Sequence, residues 1–169
     1  MIDKKNYKIA YFSMEIALEQ GIKTYSGGLG ILAGDILRSA ADLKLPIIGI
    51  TLISRHGYFE QRINKQGEQE EIPATDYDFS KLEKIKETAE IVIENKKIKI
   101  ATWIYKIQSP DGFEIPVFLL DTDLPGNPPE YRELTNELYG RDKNWRLLQE
   151  MVLGRGGYNL LKKLGFEIR

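Results

Sequence analysis

Two hydrophobic periods divide the first third of this chain. Ile9, Ala10, Tyr11 and Phe12 form a short apolar run within Lys8–Met14, and Ile47-Ile48-Gly49-Ile50-Thr51-Leu52-Ile53 forms a longer one behind Pro46. A continuous run of that length reads as a strand covered on both faces, the habit of parallel sheets. Between the runs, Leu29, Leu32, Ala33, Ile36, Leu37 and Ala40 recur every three or four residues, which predicts a helix over Leu29–Leu43 with that stripe against the sheet. Pro46 bars its continuation. Strand, helix and strand together predict one βαβ unit.

The middle third is β-rich. Tyr58–Ile63 and Glu68–Ile72 flank Asn64-Lys65-Gln66-Gly67, a hairpin turn in which the glycine can take positive φ. Ser80-Lys81-Leu82-Glu83 has the form of a capping box, but the β-branched residues from Thr88 to Glu94 keep any helix there short. Ile91–Glu94, Lys97–Ile107 and Phe113–Leu120 read as strands, with Asn95 and Asp111-Gly112 at the turns. The last third turns helical. Pro128-Pro129 opens a helix to about Tyr139, and a second runs from Asn144 to Leu164 until Gly165 stops it. Phe166-Glu167-Ile168 has the look of a further strand beginning.

Composition narrows the class of partner. With 42% hydrophobic and 29% charged residues, the 169-residue chain has the makeup of a folded domain with a real core. Lys plus Arg (24) and Asp plus Glu (25) nearly cancel, so no field draws it to nucleic acid or to an anionic membrane, and a small or neutral ligand is expected. The absence of cysteine excludes disulfides, thiolate metal sites and cysteine nucleophiles. The opening residues lack the apolar core of a secretory signal, which predicts a cytoplasmic protein. His56 is the only histidine and has no partners for a metal site or a triad, so a structural or cleft-lining role is expected.

The chemistry concentrates in Tyr25-Ser26-Gly27-Gly28-Leu29-Gly30-Ile31-Leu32-Ala33-Gly34-Asp35, between the first strand and the helix. Free amides and the helix dipole favour an anion there, and glycines let it approach the main chain. Gly28 to Ala33 also satisfies the dinucleotide pattern G-x-G-x-x-A, but Ser54 and Arg55 stand where the acidic ribose-binding residue belongs. Close packing of helix on strand is the other reading of these glycines.

Tyr11-Phe12-Ser13-Met14-Glu15 followed by Tyr25-Ser26-Gly27-Gly28-Leu29-Gly30 resembles the opening of the shorter α-glucan phosphorylases, the glycogen and maltodextrin enzymes. The resemblance continues in order through Gly57-Tyr58-Phe59 with Gln61, Gly67-Glu68-Gln69, Leu120-Asp121-Thr122-Asp123-Leu124-Pro125-Gly126-Asn127, Leu138-Tyr139-Gly140 with Asp142, Arg146-Leu147, Gln149-Glu150 and Leu153-Gly154-x-Gly156-Gly157. It implies an α/β fold, the Rossmann-like N-terminal domain of a GT-B-type glycosyltransferase over residues 1–169 with a β-rich insertion, and an incomplete one. It implies transfer of a glucosyl unit from an α-1,4-glucan to inorganic phosphate, giving glucose 1-phosphate. Pyridoxal phosphate is the implied cofactor, acting through its 5′-phosphate.

By the same resemblance Gly27 and Gly28 present amides to the substrate and cofactor phosphates, Leu29 contacts the glucosyl group and Glu15 lies near the acceptor sugar. Pairing of Glu15 with a nearby arginine is an equal alternative. Ser26, Ile31 and Ala17 stand where the long enzymes carry Asn, Arg and a cofactor-side Tyr, which weakens polar contacts from those positions. The cofactor lysine motif and the His-x-Asn-Glu-Gly-His segment are not in this sequence. No catalytic group is therefore expected on this chain, and a C-terminal half is expected as partner, with a homo-oligomer left open. Asp121 and Asp123 are expected to shape a loop rather than to act as a glycosidase pair, and Gln149 and Glu150 to serve packing and a polar network. The alternatives are the N-terminal domain of a glycogen or starch synthase, in which Tyr25 would replace the loop lysine, and a non-catalytic glucan-binding or assembly module.

Overall fold

A computed structural model describes residues 7–56, 59–73 and 77–168. A six-stranded sheet lies at the centre. Its order is β1 (Ile9–Phe12), β2 (Ile47–Leu52), β8 (Glu114–Asp121), β7 (Lys96–Gln108) and β5 (Glu83–Lys84), with β6 (Ala89–Ile93) also paired to β7. β1, β2 and β8 run parallel, whereas β7 is antiparallel to β8, β5 and β6. The hairpin of β3 (Phe59–Ile63) and β4 (Gln69–Pro73) forms a separate two-stranded ribbon around Gly67, whose φ is +84°. Gly57 and Tyr58 lie outside the described residues.

Helices cover both faces of the parallel strands, which explains their unbroken apolar runs. Helix α1 (Gly28–Asp42) lies on one face, where Leu37, Ala33, Ala40 and Ala41 join Ile47, Ile53, Ile115, Val117 and Leu119. On the other face, Val152, Leu153, Leu160, Leu161 and Leu164 meet Ile48, Ile50, Leu52, Phe118 and Leu120. The result is a mixed α/β fold built on a βαβ unit. No helix among the described residues is long and apolar enough to cross a membrane.

Five elements differ from the sequence reading, the shortest being Phe166-Glu167-Ile168, which follows α4 without pairing as a strand among the described residues. The stripe of α1 is rotated: Leu29, Leu32 and Ile36 are exposed, and the buried positions are Gly30, Ala33, Gly34, Leu37, Ala40 and Ala41. Small residues face inward because the backbone of Ala17 runs directly under the helix; a Cβ on Gly34 would lie 2.3 Å from the Ala17 carbonyl oxygen. The helix from Pro129 ends early, as α2 (Pro129–Arg132) and one 3₁₀ turn (Glu133–Thr135), and the positive φ of Tyr139 and Arg141 bars any helix through that loop. The long C-terminal helix is three pieces, α3 (Lys143–Met151), a π segment (Val152–Gly156) and α4 (Gly157–Leu164). There Gly156 and Gly157 press against Ile100, Phe12 and Ile50 at the sheet. The supposed capping box is displaced: Asp78 caps a 3₁₀ turn (Phe79–Lys81) by accepting from Ser80 N at 2.9 Å, and Glu83–Lys84 is strand β5.

Candidate functional site

The carboxyl ends of the three parallel strands carry the polar groups, as expected for an open α/β sheet. β1 leads to Ser13-Met14-Glu15, β2 to Ser54-Arg55, and β8 ends in Asp121. After β1 the chain doubles back before entering α1. Thr24 Oγ1 donates to Ile16 O at 2.6 Å, Ile16 N donates to Thr24 O at 3.1 Å, and Ala17 N donates to Gly30 O at 2.9 Å. With Ile16, Leu18 and Ile22 buried, this tie fixes Glu15 beneath the glycine turn.

Glu15 is 4% exposed, and its Oε2 accepts from Ser26 N at 2.9 Å and from Gly27 N at 3.2 Å. It thus satisfies the two amides just before α1 and leaves the first amides of the helix uncapped, since the N-cap Gly27 has no side chain and the first turn holds no acid. The glycines divide by role. A Cβ on Gly30 would lie 2.4 Å from Tyr25 Cβ and 3.0 Å from Glu15 Oε2, so Gly30, like Gly34, serves close packing. Gly27 and Gly28 are exposed, and a Cβ on either would meet nothing within 4 Å. Leu29 is 71% exposed beside them. The amides of Gly28 and Leu29 head the helix, where no intrahelical acceptor exists.

Tyr139 completes this group, and sequence reading assigned it no role there. Its hydroxyl hydrogen-bonds Glu15, and burial together with that bond pushes its pKa up to about 12. The Arg146 guanidinium lies over its ring, 4.8 Å from the centroid, and Arg146 Nε also donates to Glu150 at 3.3 Å. The positive φ of Tyr139 (56°) and Arg141 (63°) is the backbone strain of the loop that delivers the phenol. Gln149 anchors that loop, its Nε2 donating to Leu134 O at 2.9 Å and Glu137 O at 2.7 Å.

A second polar knot closes the ends of β2 and β8. Asp121, with its side chain 1% exposed, accepts from Arg55 Nη2 at 2.5 Å, Trp103 Nε1 at 2.9 Å and Asp123 N at 3.0 Å. Arg55 lies 5.1 Å from the centroid of the Phe79 ring. Tyr77, whose pKa burial drives upward, donates to Ile53 O at 2.7 Å. Asp123 instead pairs with Arg132 at 2.6 Å. The two aspartates therefore hold different cations and shape the loop. His56 is exposed, and its backbone amide donates to Asn136 O at 2.8 Å. Among the described residues no group of three acidic or histidine side chains could hold a metal ion.

Comparison with known proteins gives this arrangement a context. The chain is 35% identical over 168 residues to the maltodextrin phosphorylase of Thermococcus litoralis, covering 94% of this chain and 19% of that protein. It is 36% identical over 162 residues to the glycogen phosphorylase of Mycobacterium tuberculosis, covering 91% and 18%. The chain resembles the glycogen and maltodextrin phosphorylases. An uncharacterized protein of Methanocaldococcus jannaschii is 36% identical over 155 residues, covering 91% of this chain and 29% of that one. This phosphorylase-like chain thus spans between about a fifth and less than a third of the length of these relatives. No protein-family profile matches it. The Glu15 turn and the Asp121 knot both lie within the phosphorylase-like part of the sequence, which takes in nearly all of the chain.

Proposed function

We propose that this chain forms the sugar- and phosphate-facing part of a cytoplasmic α-glucan phosphorylase of the GT-B type. In it, a C-terminal part supplies the catalytic groups for glucosyl transfer from an α-1,4-glucan to inorganic phosphate. The observation that carries the reading is the exposed end of α1, where Gly28 and Leu29 head a 15-residue helix with open space around Gly27 and Gly28. Two amides without a partner among the described residues, aligned with the helix dipole, favour an oxyanion and require no deprotonation.

Glu15 defines which amides are free. Its carboxylate already takes the Gly27 amide, so a phosphate meets Gly28 and Leu29 first, while Glu15 and the Tyr139 loop border the sugar side. Leu29, exposed at the same end, offers an apolar surface to a glucosyl ring. Pyridoxal phosphate, when bound, would supply a second phosphate that exchanges a proton with the substrate's, and the Gly28 end of α1 is the part of this chain that fits it. Gly27 and Gly28 keep side chains out of the space both phosphates need.

The test uses the 169-residue chain. Inorganic phosphate at millimolar concentration is expected to shift the amide resonances of Gly28 and Leu29, and the chain alone is expected to release no glucose 1-phosphate from maltodextrin. Unmoved Gly28 and Leu29 resonances would refute the anion site. Glucose 1-phosphate formed by the purified chain would refute its dependence on a C-terminal part.

A further inference from the structure

We propose that Arg38 is a positioning residue for the anion site: it fixes the register of the Glu15 segment along α1 and so keeps the Glu15 carboxylate off the Gly28 and Leu29 amides. The inference rests on the reading of that helix end as a phosphate site, and it adds the device that holds the site open.

Ala17 lies across α1 and is tied to it through both of its backbone groups. Its N–H donates to Gly30 O at 2.9 Å, and its carbonyl accepts from Arg38 Nη2 at 2.9 Å. The same Nη2 donates to Leu18 O at 2.5 Å, and Nη1 lies 3.6 Å from Asp35. Gly30, Gly34 and Arg38 recur every four residues and so follow one row of the helix. A long helical side chain leans back toward the amino end, which carries the guanidinium from Arg38 over Gly34. There a Cβ would lie 2.3 Å from Ala17 O and 2.8 Å from Arg38 Nη1, so the glycine leaves the space in which those two groups meet. The row forms a groove that accepts one stretch of backbone in one register.

Register matters because Glu15 stands two residues before Ala17. An acceptor at a helix start normally bonds the amides of the second or third helical residue, where partners are lacking and the dipole is felt most. Glu15 Oε2 instead takes Ser26 N at 2.9 Å and Gly27 N at 3.2 Å, the amides just before the first helical residue, Gly28. Its carboxylate is thus held short of the place that favours it most. A carboxylate released from that register advances onto Gly28 and Leu29, caps the helix and takes the amides a phosphate needs. Thr51 Oγ1 holds the segment from β2 by donating to Met14 O at 3.3 Å, Thr24 Oγ1 holds it by donating to Ile16 O at 2.6 Å, and Arg38 holds it from α1.

The arginine acts through this carboxylate rather than on the anion itself. Its guanidinium lies beside Gly34, six residues along the helix from Gly28. That is about 9 Å, roughly one Debye length at physiological ionic strength, so the bare charge is screened at the site. The carboxylate that it restrains lies against the turn.

Phosphate titration and amide hydrogen exchange on the 169-residue chain test the proposal, with inorganic phosphate as the probe at constant ionic strength. Arg38→Met keeps an apolar stem and removes the donors to both carbonyls. It is expected to bind phosphate about fivefold more weakly, because a carboxylate then occupies the amides. Its Ser26 and Gly27 amides are expected to exchange faster and its Gly28 amide more slowly, a transfer of protection that a merely structural role does not produce. In a Glu15→Gln background the phosphate loss should vanish, since no charge remains to compete. Unchanged exchange at Gly27 and Gly28 in Arg38→Met would overturn the proposal. So would an equal phosphate loss in both backgrounds, which would mean that the arginine acts by its own charge. If phosphate leaves Gly28 and Leu29 unmoved in the unsubstituted chain, the phosphate reading fails and the exchange rates alone decide the role of Arg38. Arg38→Lys retains the charge, gives up the planar fork and is expected to fall between the two. Should Arg38→Met fail to fold, a Gly27 amide that exchanges no faster in Arg38→Lys than in the unsubstituted chain overturns the proposal.

Discussion

Glu15 accepts the amide hydrogen of Gly27 at 3.2 Å, so the turn at the head of α1 already contains a carboxylate of its own. The same oxygen takes Ser26 N, and the Tyr139 hydroxyl bonds the same carboxylate. An anion-binding turn built around an internal anion has two opposed requirements. Glu15 holds the turn in shape, and its charge works against any phosphate that approaches Gly28.

Replacing Glu15 separates those effects. Glu15→Gln retains an oxygen acceptor and removes the charge, and phosphate is expected to bind roughly fivefold more tightly, about 1 kcal/mol for charges several ångströms apart near a surface. Glu15→Ala leaves two amides and a phenol without their acceptor and is expected to cost about 1–2 kcal/mol of stability. Phosphate titration by NMR and urea unfolding measure the two outcomes; weaker phosphate binding by Glu15→Gln would show that the carboxylate does not oppose the anion.

The parallel strands were legible because burial on both faces leaves an unbroken apolar run, as in Ile47–Leu52, where all six residues are buried. The face of α1 was not. Its inward positions are Gly30, Ala33, Gly34, Ala40 and Ala41 around a single Leu37, and small residues chosen for close approach carry a weaker hydrophobic signal than Leu29, Leu32 and Ile36 on the uncovered side. The glycine turn announced itself by composition. Its link to Tyr139 did not, because a contact between residues 15 and 139 has no local period, and only the run Tyr139-Gly140-Arg141, with positive φ on both sides of a glycine, marks the loop as special.

The buried knot at Asp121 is expected to dominate local stability. Asp121→Ala strands Arg55, which is largely buried, and the Trp103 indole N–H, and should cost about 3 kcal/mol. Arg55→Met should cost less, because Trp103 and the Asp123 amide still bond the carboxylate. Urea unfolding of both variants checks the order, and a larger loss for Arg55→Met would mean that the ion pair, not the hydrogen-bonded carboxylate, holds the strand ends.

Alkaline pH is expected to loosen the Tyr139 loop. The phenol titrates at about 12 in the fold, above its ordinary value of 10.0, so the folded chain retains a proton that the unfolded chain releases. Stability from this group is complete below pH 10 and declines as pH rises from there through 12. Tyr139→Phe should flatten that decline, measured as the unfolding midpoint between pH 9 and pH 12 (~9 to ~12 brackets the titration). An unchanged slope would mean that the phenol is not held by Glu15.

Two alanine substitutions two residues apart should have opposite signatures. Gly30→Ala places a methyl 2.4 Å from Tyr25 Cβ and 3.0 Å from Glu15 Oε2, neither of which can retreat without opening the turn. Overpacking of this kind costs about 1–3 kcal/mol, so Gly30→Ala is expected to lower the thermal midpoint and shift the Glu15 and Tyr139 resonances together. At Gly28 a methyl meets nothing within 4 Å, and alanine is the better helix former by up to about 1 kcal/mol. Gly28→Ala should therefore keep or raise the midpoint. What it takes away is the open space beside the amide, so phosphate binding should fall severalfold with the fold intact. Calorimetry with phosphate and thermal unfolding on the same two samples distinguish the roles, and undiminished phosphate binding by Gly28→Ala would remove that amide from the proposed site.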